Sequence, residues 1–563
     1  MKKLALITLI VLCNSVFAQI AVNQVGYLSQ SQKPVYFLNG DESFSLVEKT
    51  TGKEVYSGKI YEIKQSDPAT GQTIYEGDFT PFQQAGEYII QTPKNGRSAS
   101  FFIRQNVYDN LYQESLKTFY IQRCGLELTS EFAGDFVHPA CHTKDAEYHR
   151  DVQKSGLREV SGGWHDAGDY GRYIVNGAYS VAVMLLAYEI FPEGFQSDTI
   201  GIPESKNRIP DLLDEIRYEM EWMLKMQDED GGLFHKVTEP AFQSLDLKPH
   251  EDKKTQVLMI KTTAATADFT IAAAQAARIF KKFDKPFANQ CKAAALRAWY
   301  YLEMHTENIP QGGFQNPEDI RTGTYGDEND ADERFWAAVE MYRTFKDKSF
   351  EDSITAAADK ITLFPNEISW CNVAPFGVVS YVKLAPNRSN PQLKQHLSKE
   401  WQNFCEMMLT RYQTNGYGVL LNSGDYRWGS LQIDLNFGFI LLAGGYEFTN
   451  DPYRKAAVHQ IHFILGANGL NLSFVTGFGE KYPVNVHNRI CSLTHDGSIY
   501  PGFLVGGPNE NLQDPLLQEL YNEKTPPAFC YVDSRDSYAS NETCINWNAI
   551  LVAYAGYLNR PHQ

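Results

Sequence analysis

Several features are scarce in this chain, and each scarcity excludes something. Cysteine is thin: nine in 563 residues, with no dense framework, which excludes a small disulfide-stapled scaffold. Positive charge is short, with 51 Lys and Arg against 68 Asp and Glu, a net charge of −17. That balance excludes nucleic acid and anionic membrane as partners, since both need a basic face. A neutral or cationic substrate is compatible. Long hydrophobic runs are missing. The apolar run Leu4 to Leu12 falls short of the roughly 20 residues a bilayer requires, and no later segment reads as transmembrane.

What is present begins with an export signal. Lys2 and Lys3 precede that apolar run, and Val16-Phe17-Ala18 offers a cleavage pattern. Residues 1–18 are therefore expected to be a signal peptide, and the mature chain, secreted or periplasmic, to begin near Gln19. Losing two lysines takes the net charge to −19. Cys13 follows a bulky Leu12, so a lipid anchor is the minor reading. Eight cysteines then remain, and an exported chain is free to pair some of them. Aromatics reach 13%, with 32 Tyr and 33 Phe. A large core accounts for most of them; flat ligands would use others.

From Gln19 to about Arg104, β-branched and aromatic runs alternate with turn pairs such as Asn39-Gly40, Thr51-Gly52 and Ala85-Gly86. Turn signals every ~8–12 residues predict an all-β sandwich. It holds no catalytic cluster, so a scaffold or docking role is expected. After Asn106 the apolar period becomes helical. Runs at Tyr108 to Tyr120 and at about 174–190, 209–227, 263–281, 286–304, 332–346, 350–361, 394–412, 432–447, 451–465 and 542–559 predict eleven or twelve helices, with little strand signal. Antiparallel pairs closed into a ring would bury them all. Two domains follow, 19–104 and 107–560. The long loops at 306–330 and 467–535 are where function is expected.

Four clusters carry chemistry. In Ser161 to Tyr173, SGGWHDAGDYGRY, Gly162, Gly163, Gly168 and Gly171 surround Asp166 and Asp169. Glycine-bent backbone can aim both carboxylates at one water; a calcium loop or a polar turn is the competing reading. Trp164, Tyr170 and Tyr173 would offer flat surfaces for sugar rings. In Tyr531 to Ala549, Glu542 is placed at the start of the last helix, with Ser540 or Asn541 as N-cap. It reads either as a helix-dipole carboxylate or as a general acid, and a helix N-terminus opposes the raised pKa an acid needs. His487 and Arg489 share one side if their segment is extended, where they could grip hydroxyls or orient a carboxylate. Cys124, Cys141, His142 and His165 supply two thiolates and two imidazoles, a tetrahedral zinc set; a Cys124–Cys141 disulfide is the alternative.

The DAGDY loop (166–170), His487-x-Arg489, and Asp533, Asp536, Tyr538, Glu542 and Asn548 stand in the order and spacing of both signature regions of glycoside hydrolase family 9. The chain resembles that family over essentially its whole mature length. It is similar to the branch with an immunoglobulin-like module in front of an (α/α)6 barrel, to which QRCG, HPACH and GGWHDAGDYGRY are typical. Cys544 departs mildly, since a small Ser, Thr or Ala is usual there.

The resemblance implies an inverting endo-β-1,4-glucanase acting on cellulose-type or mixed-linkage β-glucan. Asp169 would be the base, Asp166 its partner in holding the water, and Glu542 the acid. His487 and Arg489 would contact the sugar and the carboxylates. Trp370, Tyr426, Trp428 and Tyr538 are candidate stacking platforms beside Trp164. The resemblance also implies a structural zinc on Cys124, Cys141, His142 and His165, and calcium at GDENDADE with Asp330 and Glu333 as ligands. No organic cofactor is expected, and a monomer is the default. The rival readings are an exo-acting β-glucosidase, glucosaminidase or cellobiohydrolase, a xyloglucanase, and a glucan-binding protein without catalysis.

Overall fold

The computed structural model describes residues 19–560. The expected signal peptide, with Cys13, lies outside them. Nine strands form the first domain: β1 (Ile20–Ala21), β2 (Gly26–Tyr27), β3 (Pro34–Phe37), β4 (Ser43–Glu48), β5 (Glu54–Lys64), β6 (Ile74–Asp78), β7 (Gly86–Thr92), β8 (Gly96–Arg97) and β9 (Phe101–Ile103). Their order is β1-β3-β6-β5-β4-β7-β9-β2, with β8 on β7. The early part of β5 pairs with β4 and its later part, from Ile60, with β6. One long strand thereby passes between layers and folds the sheet into a sandwich. Val35, Phe37, Phe44, Ile60, Phe79, Tyr88 and Phe101 fill it.

The second domain is an (α/α)6 barrel. Its inner helices are Ile174–Ile190, Thr263–Ile279, Ala331–Phe345, Ala374–Val382, Ser430–Glu447 and Ile545–Leu558. Each touches the next around the ring, and the last closes on the first. Burial sorts inner from outer: all 14 residues of the 545–558 helix are buried, against 6 of 24 in the outer helix Pro391–Thr414. A helix apolar on every side must be surrounded. Outer helices Asp109–Ile121, Asp211–Met226, Lys285–Met304, Lys348–Ala358, Pro391–Thr414 and Asp451–Ile464 pack behind them. None of the helices is long and apolar enough to cross a membrane.

Three expectations need correction. The 374–382 helix was not expected: APFGVVSYV is a buried apolar run with Pro375 and Gly377, so it shows no polar face from which to read a period. Little strand was expected here, yet strands of two or three residues (Ala146–Tyr148, Leu157–Arg158, Arg172–Tyr173, Lys236–Thr238, Val257–Leu258) form a five-stranded sheet; such lengths are too short to display alternation. Finally, the last helix begins at Ile545 with Cys544 at its N-cap, so Ser540 and Asn541 do not cap it. They belong to a separate turn, Tyr538–Asn541.

The sandwich is seated on the barrel through buried polar groups. Asn23 is fully buried: its Nδ2 lies 3.0 Å from Tyr108 Oη and 2.9 Å from His462 Nδ1, while its Oδ1 accepts from the Val25 and Gly26 N–H groups. Tyr36 Oη lies 3.0 Å from His459 Nε2. Asn23→Ala would strand several of these groups without water, and is expected to cost about 2–4 kcal/mol. Scanning calorimetry should show a lower unfolding transition; an unchanged one would refute this account of the seat.

Candidate active site

The acid loop is held open by its own backbone. Gly163, at φ 77°, turns where a Cβ would strike the Trp222 ring. At Gly168 a Cβ would lie 2.3 Å from the His487 carbonyl oxygen and 2.9 Å from Glu542 Oε1. That position must be bare for the two halves of the site to meet. The loop is pinned on both sides: His165 N–H donates to the Gln122 carbonyl at 2.7 Å, Cys124 N–H to the Gly163 carbonyl at 2.8 Å, and Ile545 N–H to the Asp166 carbonyl at 2.9 Å.

Asp166, Asp169 and Glu542 line one cleft of about 720 Å³, together with His487, Arg489, Trp370, Trp428 and Tyr538. The three carboxyls differ in surroundings. Asp166 accepts from Asn176 Nδ2 and from Tyr325 Oη, each at 2.6 Å, and burial and the neighbouring Asp169 push it up to about 8. Asp169 is raised by burial too, but the Arg489 charge, the Tyr173 hydroxyl at 3.0 Å and the Gly171 N–H at 3.1 Å oppose the rise. Of the coupled pair, Asp169 is the one built to carry the charge. Glu542 accepts from the Gly168 N–H at 3.2 Å, and desolvation and the nearby Asp169 hold it well above the usual range. Its position ahead of the helix removes the objection raised from the sequence: the carboxyl does not sit in the helix's first turn.

His487 pairs with Glu542 as a parallel bridge, its Nδ1 lies 2.6 Å from the Arg535 carbonyl, and burial lowers its pKa. The neutral ring therefore donates from Nδ1 and keeps Nε2 as an acceptor. Arg489 is more buried than its expected sugar-gripping role requires. Its guanidinium donates to the carbonyls of Gly168 (2.6 Å) and Gln243 (3.1 and 2.7 Å), so it braces the loop while its charge faces Asp169.

The aromatics separate into platforms and packing. Trp428, 40% exposed, lies against Tyr538 at 5.5 Å, and Trp370 against Tyr325 at 5.2 Å, all on the cleft wall. Trp164, Tyr170 and Tyr426 are buried and present no face to a ligand. Tyr173 lines the cleft and donates its hydroxyl to Asp169. Asn176 and Tyr325, which hold Asp166, were not singled out from the sequence. No spacing announces Tyr325; it arrives from a distant loop with a left-handed backbone, φ 47°, strain of the kind that collects at sites.

The ligand atoms of Cys124, Cys141, His142 and His165 lie within 4.8 Å of one another. Both cysteines are free, so the disulfide reading fails. His142 Nε2 points at Glu239 and Asp252, 3.6 and 3.7 Å away, which leaves Nδ1 for a metal. Asp330 and Glu333 belong to no such converged group among the described residues. Asp330 Oδ1 is taken by Arg334 at 2.9 Å. Glu333, fully buried, finds no N–H or O–H donor for either oxygen, and neither do Asp268 Oδ2, Asp327 Oδ2 and Asp330 Oδ2.

Comparison with known proteins places the chain. Residues 108–555 match the model of glycosyl hydrolase family 9, and residues 16–97 that of the cellulase N-terminal ig-like domain. Endoglucanase D of Acetivibrio thermocellus is 32% identical over 547 residues, covering 96% of this chain and 84% of that protein. A xyloglucan-specific endo-beta-1,4-glucanase of Bacteroides ovatus is 33% identical over 560 residues, covering 96% and 93%. The structure of AaCel9A in complex with cellobiose-like isofagomine superposes with a TM-score of 0.89 at 31% identity, covering 96% and 100%. The chain belongs to glycoside hydrolase family 9 and is a glycosidase of the endoglucanase type.

The Tyr173 hydroxyl favours the ionised form of Asp169, so removing it raises that pKa. A base works only when ionised, and activity falls as pH drops through its pKa. Tyr173→Phe is therefore expected to move the acid limb of the kcat/KM profile to higher pH by about one unit. An acid limb that stays in place would contradict Asp169 as the base.

Proposed function

We propose that this protein is an inverting endo-β-1,4-glucanase that cuts internal bonds of cellulose-type or mixed-linkage β-glucan, working as a monomer outside the cytoplasm. The observation that carries the reading is the unequal setting of three carboxyls in one aromatic-walled cleft. Glu542, kept protonated, donates to the departing glycosidic oxygen. Asp169, kept ionised by Arg489, Tyr173 and Gly171, takes a proton from water that attacks the opposite face of C1. Asp166, fixed by Asn176 and Tyr325, holds that water. Inversion requires roughly 6.5–9.5 Å between acid and base, to leave the water room. His487 Nε2 accepts a sugar hydroxyl, Arg489 positions the loop, and Trp370, Trp428 and Tyr538 stack on the chain.

Zinc fits the four donors Cys124, Cys141, His142 and His165, where it would supply structure by tying the acid loop to the 122–124 segment. For calcium, the donor-less oxygens of Glu333, Asp268 and Asp327 fit a divalent cation, and so does Asp330 Oδ2, since Arg334 takes only Oδ1.

Glu542→Gln and Asp169→Asn are each expected to lower kcat on barley β-glucan by about 10³-fold or more with an unchanged circular-dichroism spectrum. Near-normal turnover by either would overturn the assignment. A panel of carboxymethylcellulose, mixed-linkage glucan and xyloglucan with product analysis tests the rest: a rapid viscosity fall is expected, and glucose as sole product would mean exo action. Elemental analysis should find one zinc per chain, lost in Cys141→Ser together with part of the thermal stability; a metal-free wild type of full stability would end the zinc assignment.

A further inference from the structure

A second groove, of about 660 Å³, runs along the outer face of the sandwich where it meets the barrel. It shares no residue with the active-site cleft. The strand pattern explains its chemistry. Val35, Phe37 and Ile60 face the sandwich core. The alternate positions therefore face outward. On that outer face Tyr36, Glu76 and Tyr61 stand directly opposite one another across β3, β6 and β5. Tyr36 is buried under the barrel, against Tyr417 and His459. The row then emerges: Glu76 is half-buried, and Tyr61 is 62% exposed. Ile63 continues beyond it along β5, and Tyr412 of the 391–414 helix forms the far wall.

Two features of this row mark it as a binding surface. Tyr61 offers a bare ring on the outer face of its strand, between Lys59 and Ile63 at the alternate positions. Beside it, the Glu76 carboxyl receives no hydrogen bond from any of the described residues, although burial and the nearby Asp78 push it up to about 7. A half-buried carboxyl without a partner favours a ligand rich in hydroxyls. A flat ring next to a hydroxyl-seeking carboxyl is the pairing that recognises a pyranose. Asp78 in the same groove disfavours anions, and two exposed apolar side chains are too few for the core of a protein interface.

We propose that this groove is a second site for a neutral β-glucan chain, with Tyr61 as its stacking platform and Glu76 as its hydroxyl partner. The identity of the ligand rests on the glucanase reading of the cleft. A chain held here would keep the polymer near the barrel between cuts and raise its effective concentration at the cleft.

The test is isothermal titration of cellohexaose into the full chain carrying Glu542→Gln, so that the ligand is not cut. Two sites per chain are expected. Adding Tyr61→Ala should leave one, its affinity unchanged, and Tyr61→Trp should restore two. Tyr61 is exposed, so neither change threatens the fold. A single site in the parent, or two sites that survive Tyr61→Ala, would overturn the proposal. So would Tyr61-dependent self-association in sedimentation, which would make the groove a protein interface. Hydrolysis of cellohexaose by the wild type is read separately. Cleavage with one binding site sinks the groove and leaves the glucanase standing; a Tyr61-dependent site without cleavage does the reverse.

Discussion

The site depends on how the 166–169 loop is tied to the segment that opens the last inner helix. Ile545 N–H holds the Asp166 carbonyl, Gly168 N–H holds the Glu542 carboxyl, and the backbone N–H and guanidinium of Arg489 both hold the Gly168 carbonyl. The Gly168–Glu542 bond joins residues 374 apart in sequence. These bonds fix where the carboxyls stand before any substrate arrives, which is what electrostatic catalysis requires: charges placed in advance, in a site that water does not reorganise. The barrel supplies the rigidity, and glycine at 168 supplies the close approach.

The same loop is braced from its other side by the cysteine–histidine cluster. His142 leans on Glu239 and Asp252; Gln243 donates to both of those carboxylates, at 2.7 and 2.6 Å, while its own carbonyl receives Arg489. A continuous run of polar contacts therefore leads from the cysteine–histidine cluster to the guanidinium beside Asp169. The cluster thus does more than staple two strands: it sets the position of the Arg489 charge that opposes the rise in the Asp169 pKa.

Much of this was legible in the residues. Asp166 and Asp169 announced themselves because four glycines within ten residues make sense only where backbone must bend. The barrel was legible where its helices are amphipathic, as at 211–226, and illegible at 374–382, where burial on every side erases the period. Aromatics misled for a physical reason. A Trp that stacks on sugar and a Trp that packs a loop from beneath share one composition, and only burial separates Trp428 from Trp164. Tyr325 escaped notice because its partner, Asp166, is 159 residues away along the chain; Asn176 is only 10 away, but an amide carries no spacing rule until the fold supplies one. The last helix was started too early, at Glu542 rather than Ile545, because Ser540 and Asn541 look like a cap; the extended bridge to His487 won that stretch instead.

The ring closes by docking the 545–558 helix against the 174–190 helix, and Glu542 lies just ahead of that helix, before its N-cap Cys544. Order of synthesis then matters. The acid loop, its bracing cluster and five of the six inner helices are all made before the segment that supplies Glu542. Until that final helix is translated and seated, the growing polypeptide holds Asp166 and Asp169 without the third carboxyl of the cleft.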